Sequence, residues 1–186
     1  MRIAIQGIAG SFSEAACHAL RPRARVVYCR DFNDLFRSLA DHRAQQALVP
    51  VENTLAGEIA ATRRLLARTP HRVVSEIRLR ISLALIVRPD AELAHIRHVL
   101  SHPVALLQCR RFLARHPDWR ARRFFDTAGS VKEIMRIHNP TRAALASPHA
   151  AAVYGAKVAR RGVGDKRANF TKFLLIAPIA GRVLSK

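Results

Sequence analysis

Glu52, Asn53 and Thr54 stand together after the apolar run Ala47-Leu48-Val49 and Pro50, just before a helical pattern at Ile59, Ala60, Thr62 and Leu65-Leu66. A carboxylate, an amide and a hydroxyl at a strand-to-helix junction suit a small polar ligand, because open α/β sheets present ligand sites at the carboxyl ends of strands. Pro50 is expected to close the strand, having no N–H for a further ladder bond. Asn53 or Thr54 can also cap the helix, a local duty that needs one residue and leaves Glu52 unexplained.

Two more junctions repeat the pattern. Gly7 and Gly10 precede Ser11-Phe12-Ser13-Glu14, where Ser11 and Glu14 have capping-box spacing. Free N–H groups and the positive end of a helix dipole there suit an anion, although a G-x-x-G pair also describes an ordinary turn. Ser101-His102-Pro103 opens a helix through Val104, Leu107, Arg111 and Leu113. Pro103 fits only its first turn, so Ser101 or His102 is the cap. Gln108 then falls two turns beyond Ser101, roughly 10 Å along the same face. His102 is read as structural, with a catalytic base as the alternative.

The elements that must position these groups follow in order. Strands are predicted at 2–6, 25–29 and 45–49, with helices to about Leu20, from Asp31 or Asn33 through Ala40, and to about Ala67. This β-α-β-α-β-α rhythm predicts a parallel, doubly wound sheet with right-handed crossovers. Residues 71–77 and 79–87 form a long extended stretch able to cross into a second lobe. Strands at 96–100, 122–125 and 143–146 follow, with helices from Asp126-Thr127 to Ile137 and from Ser147-Pro148 to Tyr154-Gly155. Val163-Gly164-Asp165 is a turn, and 173–179 is a last apolar strand returning to the first lobe. The fold class is α/β with two lobes: about 1–78 plus 171–186, and about 79–170. An inter-lobe cleft would receive 7–13, 52–54, Ser101 and Asp126-Thr127. Hydroxyls, amides and helix N-termini among arginines imply binding of a small carboxylate.

Composition narrows the class. The chain has 186 residues, 49% hydrophobic and 24% charged, ordinary for a globular protein with one core or two small lobes. No apolar run reaches the length of a membrane span, and the start lacks a signal peptide's apolar region. Three cysteines (Cys17, Cys29, Cys109) without C-x-x-C spacing give neither a disulfide framework nor a zinc site, and fit reduced thiols in a cytoplasm. Nine histidines show no metal-binding spacing. The net charge of +19 raises nucleic acid as a partner. The arginines, however, are spread along the whole chain with few aromatics between them, and no nucleic-acid-binding motif stands out. The expected partner is a small acidic molecule, with no nucleic acid, membrane or metal.

Over nearly its whole length the chain resembles prephenate dehydratase. Gly7–Glu14 is similar to the family's G-P-x-G-T-F-S-E, with Ile8 for proline and Ser11 for threonine. Pro50–Gly57 resembles P-[IV]-E-N-S-x-x-G, with Thr54 for serine, and Ser101–Cys109 resembles S-H-P-x-A-L-x-Q-C. Glu76, Asp126–Gly129 and Ala150-Ala151…Tyr154-Gly155 fall in the matching order. Asn169–Phe173 resembles N-x-T-R-F, with Lys172 for arginine. A histidine often seen in the family's inter-lobe strand is missing near Leu83.

The resemblance implies a two-lobed fold like type II periplasmic binding proteins. It also implies conversion of prephenate to phenylpyruvate with loss of water and carbon dioxide, in phenylalanine biosynthesis. This lyase would need no cofactor and would work as a cytoplasmic homodimer. By resemblance Thr171 is the donor at the leaving hydroxyl, and Glu52, Asn53, Ser101 and Gln108 are the other catalytic residues. Gly10, Ser11, Phe12, Thr54, Lys172 and Phe173 bind substrate. Lys172 offers a point charge where arginine would grip a carboxylate with a fork. The alternatives are arogenate as substrate, giving phenylalanine, or a non-catalytic carboxylate-binding domain of the same fold. The family usually adds a C-terminal phenylalanine-sensing domain, and this sequence stops after the last catalytic-lobe strand. Activity is therefore expected to be indifferent to added phenylalanine, and a clear fall in a phenylpyruvate assay would contradict that.

Overall fold

A computed structural model of the chain describes residues 1–179; the stretch 180–186 of the expected first lobe lies outside them. The elements in chain order are β1 (Arg2–Gln6), α1 (Phe12–Leu20), β2 (Arg25–Cys29), α2 (Phe32–Ala40), β3 (Gln46–Asn53), β4 (Gly57–Glu58), α3 (Ala60–Arg68), β5 (His71–Arg80) and β6 (Ala84–Val87). After a single 3-10 turn at Leu93–His95 come β7 (His98–Ser101), α4 (Pro103–Gln108), α5 (Arg110–Ala114), β8 (Arg120–Arg123), α6 (Thr127–Arg136), β9 (Arg142–Ala146), α7 (Pro148–Tyr154), β10 (Lys157–Arg161) and β11 (Phe170–Pro178). They group into two compact units. One takes Met1–Ile8, Phe12–Arg80 and the chain from Ala168; the other takes Ala9–Ser11 and Ile81–Arg167.

The first unit is built on a sheet ordered β2-β1-β3-β11-β5, with β4 paired to β3. Its β1, β2 and β3 are parallel, as the rhythm of the sequence predicts. The expectation of a wholly parallel sheet is corrected by β11, which runs antiparallel to both β3 and β5. Burial explains the order. Phe173, Leu175, Ile176 and Ala177 are all buried, and a strand apolar on both faces belongs in mid-sheet. The alternating, half-exposed β5 takes the edge.

Each face of this sheet carries its own core. On one, Leu35, Phe36 and Leu39 of α2 pack with Ala4, Ala47, Val49 and Ile176. On the other, Ala16 and Cys17 of α1 pack with Ile3, Ile5, Leu48, Phe173 and Leu175. Phe173, expected to bind substrate, is a core residue only 2% exposed. Burying a side chain of that size contributes about 1.5–3 kcal/mol.

Pro50 does not end its strand. β3 continues to Asn53, and Pro50 sits opposite Phe173 where the register between β3 and β11 shifts by a residue. A bulge tolerates the missing N–H. The Pro50 carbonyl is used as well, accepting from Thr62 Oγ1 at 2.7 Å. Glu52 and Asn53 are consequently strand residues. Neither Asn53 nor Thr54 caps α3, whose N-cap is Ile59 with no side-chain bond.

The second unit holds a sheet ordered β10-β6-β9-β7-β8, parallel across β9-β7-β8 and antiparallel across β10-β6-β9. Its later helices start where the sequence places them: Asp126 caps α6 by accepting from Gly129 N, and Ser147 caps α7 by accepting from Ala150 N at 3.0 Å. The helix expected to run from Pro103 past Leu113 divides at Cys109. Asp165 fills the break, its N–H donating to the Gln108 carbonyl at 2.7 Å and its carboxylate accepting from Arg111 N at 3.0 Å. β10 is not legible in the sequence, because Lys157, Arg160 and Arg161 make it too polar to look like a strand; charge of that kind is how edge strands avoid pairing.

Gly10 owes its type to packing in this unit. Its φ is +82°, and a Cβ there would meet Ala150 Cα at 2.8 Å and Ala150 Cβ at 3.1 Å. The Gly10 carbonyl accepts from Ser147 Oγ at 2.9 Å, and the Ala9 carbonyl accepts from Tyr154 OH at 2.8 Å. Gly10→Ala is expected to cost about 1–3 kcal/mol of stability, read as an earlier midpoint in urea unfolding.

Candidate active site

The residues that gather most closely around Thr171 come from two strands brought side by side. β3 and β11 pair antiparallel with Asn53 opposite Thr171 and Glu52 opposite Lys172. Directly opposed residues share a sheet face, and successive residues along a strand alternate faces. The Asn53 and Thr171 side chains therefore lie on one face, and those of Glu52 and Lys172 on the other.

Asn53 is held in a single orientation. Its Oδ1 accepts from the backbone N–H of Leu55 at 2.9 Å and of Ala56 at 3.0 Å. Those N–H groups require an oxygen, so the amide nitrogen must point the opposite way. There Nδ2 donates to Asn169 Oδ1 at 2.9 Å, Thr171 Oγ1 at 2.9 Å and the Phe170 carbonyl at 3.2 Å. Two hydrogens serve three acceptors. Because Thr171 Oγ1 accepts from Asn53, its own proton is left for another acceptor. Asn169 is 3% exposed and Thr171 8%, so these bonds are sheltered from water and hold the hydroxyl more firmly than exposed bonds would.

The neighbouring backbone is pinned in the same way. Thr54 N donates to the Phe170 carbonyl at 2.9 Å, and Phe170 N donates to Thr54 Oγ1 at 2.9 Å. Thr54, expected to bind substrate, spends its hydroxyl on locking the start of β11.

On the other face Lys172 Nζ meets Glu76 Oε2 at 2.8 Å. Lys172, expected to offer a substrate carboxylate its charge, has its side chain on the face opposite Thr171 by strand alternation, and its ammonium is paired with Glu76. Glu52, expected among the catalytic residues, lies on the face opposite Thr171 by the same alternation.

In the second unit Ser101 is the last residue of β7 and fully buried. Its hydroxyl donates to the Leu145 carbonyl at 2.6 Å. Ser101 is thus neither a cap nor one helical face with Gln108. The cap is His102, whose Nδ1 accepts from Val104 N at 3.2 Å. That bond gives His102 the structural role the sequence reading favoured. Gln108 ends α4, and Ser11 and Phe12 stand at the start of α1.

The thiols are poor nucleophiles here. Burial, with a smaller push from Glu14, raises Cys17 to about 11, and burial, with Asp165, raises Cys109 to about 12. Both stay protonated at neutral pH. Among the described residues no group of three or more His, Cys, Asp or Glu is arranged to hold a metal ion, and no helix is long and apolar enough to cross a membrane.

In the sequence Asn169 stands only as the first residue of the N-x-T pattern, with no role in the site. The signal was present as the Asn169-x-Thr171 spacing, which puts two polar side chains on one side of a strand start. Arg78 was overlooked altogether, since only the β5–β11 register sets it opposite Lys172.

The sequence profile of the prephenate dehydratase family matches residues 3–179. The chloroplastic arogenate dehydratase/prephenate dehydratase 2 of Arabidopsis thaliana is 33% identical over 177 residues, covering 95% of this chain and 46% of that protein. The crystal structure of prephenate dehydratase from Arthrobacter aurescens, in complex with L-Phe, superposes with a TM-score of 0.88 at 27% identity, over 97% of this chain and 61% of that one. A structure described as a quorum quenching acylase superposes equally well, with a TM-score of 0.88 at 31% identity over 98% of this chain and 66% of its own. The chain spans about half the length of the curated relatives it matches.

Replacing Lys172 by arginine is expected to leave kcat/KM for prephenate within about twofold, because Glu76 accepts either cation. A tenfold change in steady-state kinetics would return position 172 to the substrate.

Proposed function

The chain belongs to the prephenate dehydratase family, and from that premise we propose that it is a carbon–oxygen lyase converting prephenate to phenylpyruvate. The observation that carries the reading is the Thr171 hydroxyl, fixed as an acceptor by Asn53 with its own proton left to donate.

The reaction balances without a redox partner. The bond from the ring to its carboxylate breaks and releases carbon dioxide. Its electron pair moves into the ring, and the carbon–oxygen bond across the ring breaks. The departing hydroxyl leaves as water with a proton supplied through the donor and replaced from solvent. The ring becomes aromatic, which is the driving force, so the protein's task is to hold the substrate and stabilise the departing oxygen. Free threonine is a very weak acid. Thr171 accordingly acts by hydrogen-bonding or relaying a proton to that oxygen within a preorganised site, rather than by ionising. Asn53 and Asn169 are positioning residues in this account. Gln108 as an orienting amide, Ser11 and Phe12 as substrate contacts, a homodimeric assembly and a cytoplasmic setting accompany the reading through family likeness.

A specific observation favours one neighbouring reading: a relative described as acting on both arogenate and prephenate. Arogenate would follow the same bond changes and yield phenylalanine, so kcat/KM measured for each substrate decides between them.

The purified chain incubated with prephenate is expected to release phenylpyruvate. Thr171→Val, which keeps the shape and removes the hydroxyl, should lower kcat by about 10²- to 10⁴-fold with KM little changed. Thr171→Ser should restore a large part of the loss. Absence of phenylpyruvate would favour a binding domain on this fold, and a valine variant as active as the parent would remove Thr171 from the chemistry.

A further inference from the structure

The sheet face turned away from the Thr171 hydroxyl carries a hollow of about 240 Å³ lined by Glu52, Thr54, Glu76, Arg78, Phe170 and Lys172. All six belong to the first unit. They come from three adjacent strands and the residue that continues one of them. Register explains the grouping: Lys172 lies opposite Glu52 on β3 and opposite Arg78 on β5, and the remaining three lie two residues along. Phe170 is fixed in place by its two backbone bonds to Thr54.

The charges in this hollow divide into those already paired and those left over. Lys172 is neutralised by Glu76. Glu58, opposite Glu52 on β4, is neutralised by Arg63. Among the described residues the Glu52 carboxylate has no side-chain partner. Among the described residues the Arg78 guanidinium has only the face of the Phe170 ring, 5.0 Å from the centroid. That contact steadies a planar cation and leaves its N–H fork available for a carboxylate. One unspent anion and one unspent cation remain in a space the size of a single amino acid, below the range of drug-sized pockets. In a chain of net charge +19, this hollow is locally neutral. A dianion placed there would set its second charge against Glu52 or Glu76, whereas a zwitterion meets a partner at each end.

We propose that this hollow is a second binding site, distinct from the Thr171 site, that takes a free α-amino acid as its zwitterion. The carboxylate is received by Arg78, the ammonium by Glu52, and the side chain lies towards the Phe170 ring. The proposal stands apart from the reaction assigned to Thr171, because the two sets of side chains occupy opposite faces of the sheet.

Isothermal titration calorimetry on the full chain tests it, with L-phenylalanine as the probe. Saturable one-to-one binding is expected. Hydrocinnamate, which lacks the ammonium, and phenethylamine, which lacks the carboxylate, should each bind about tenfold more weakly or worse. Arg78→Met and Glu52→Gln should each weaken L-phenylalanine to a similar degree, and Arg78→Lys should fall between Met and the parent. Thr171→Val should bind like the parent. Melting curves matching the parent's assign any loss to the site rather than to unfolding. No saturable heat up to the solubility of the amino acid overturns the proposal. So does binding that survives both Arg78→Met and Glu52→Gln, or binding lost in Thr171→Val, which would place the ligand with the reacting groups.

Discussion

The antiparallel return of β11 between β3 and β5 is the constraint on which the proposed chemistry rests. It sets Asn53 opposite Thr171, and the Asn53 amide then faces two demands at once. Its oxygen answers the N–H groups of Leu55 and Ala56 in the hairpin, and its nitrogen is thereby committed to Thr171 and Asn169. A primary amide is suited to this, because its donor and acceptor ends cannot exchange roles without breaking bonds on both sides. An aspartate in its place would put oxygens at both ends and leave Thr171 Oγ1 facing a competing acceptor. The hairpin turn and the hydroxyl are therefore one structural unit, and the turn cannot be altered without releasing the group proposed to carry the reaction.

The same pairing separates two kinds of polar chemistry by the pleat of a single sheet. Thr171 and Asn53 face one side, near the core that contains Phe173 and Leu175. Lys172, Glu52 and Arg78 face the other. Two residues adjacent in sequence, Thr171 and Lys172, thus serve different surroundings. The bulge at Pro50 contributes to this arrangement. It absorbs one residue between the buried part of β3 and its polar end, so the register that buries Leu48 and Val49 also presents Asn53 to Thr171.

The large positive charge has little bearing on the fold. The ion pairs described lie mostly on exposed side chains, such as Arg30 with Asp31 and Arg136 with Glu133, and pairs of that kind contribute only about 0–1 kcal/mol each. Stability rests on the apolar layers on the two faces of the first sheet and on the buried strands of the second. Where charge does matter is local, in what remains after pairing around Lys172 and Glu76.

Much of the architecture was legible in the sequence. The parallel start of the first sheet, the helix starts near Asp31, Asp126 and Ser147, and the two-lobed α/β class all follow from periodicity and local helix-start chemistry, which act over a few residues and need no partner. The family resemblance at 169–173 also pointed to Thr171, on which the proposed reaction rests. The sequence could not reveal which strands become neighbours. Pro50 read as a terminus because its missing N–H is a local fact, while the bulge that excuses it depends on β11, more than a hundred residues away. Ser101 stood beside His102 as a candidate cap because the Leu145 carbonyl that takes its hydroxyl lies on another strand. Side-chain type was written in the chain. Which face each side chain occupies, and which group it meets there, was decided only by strand order and register, since pleat alternation has no meaning until a strand has a partner.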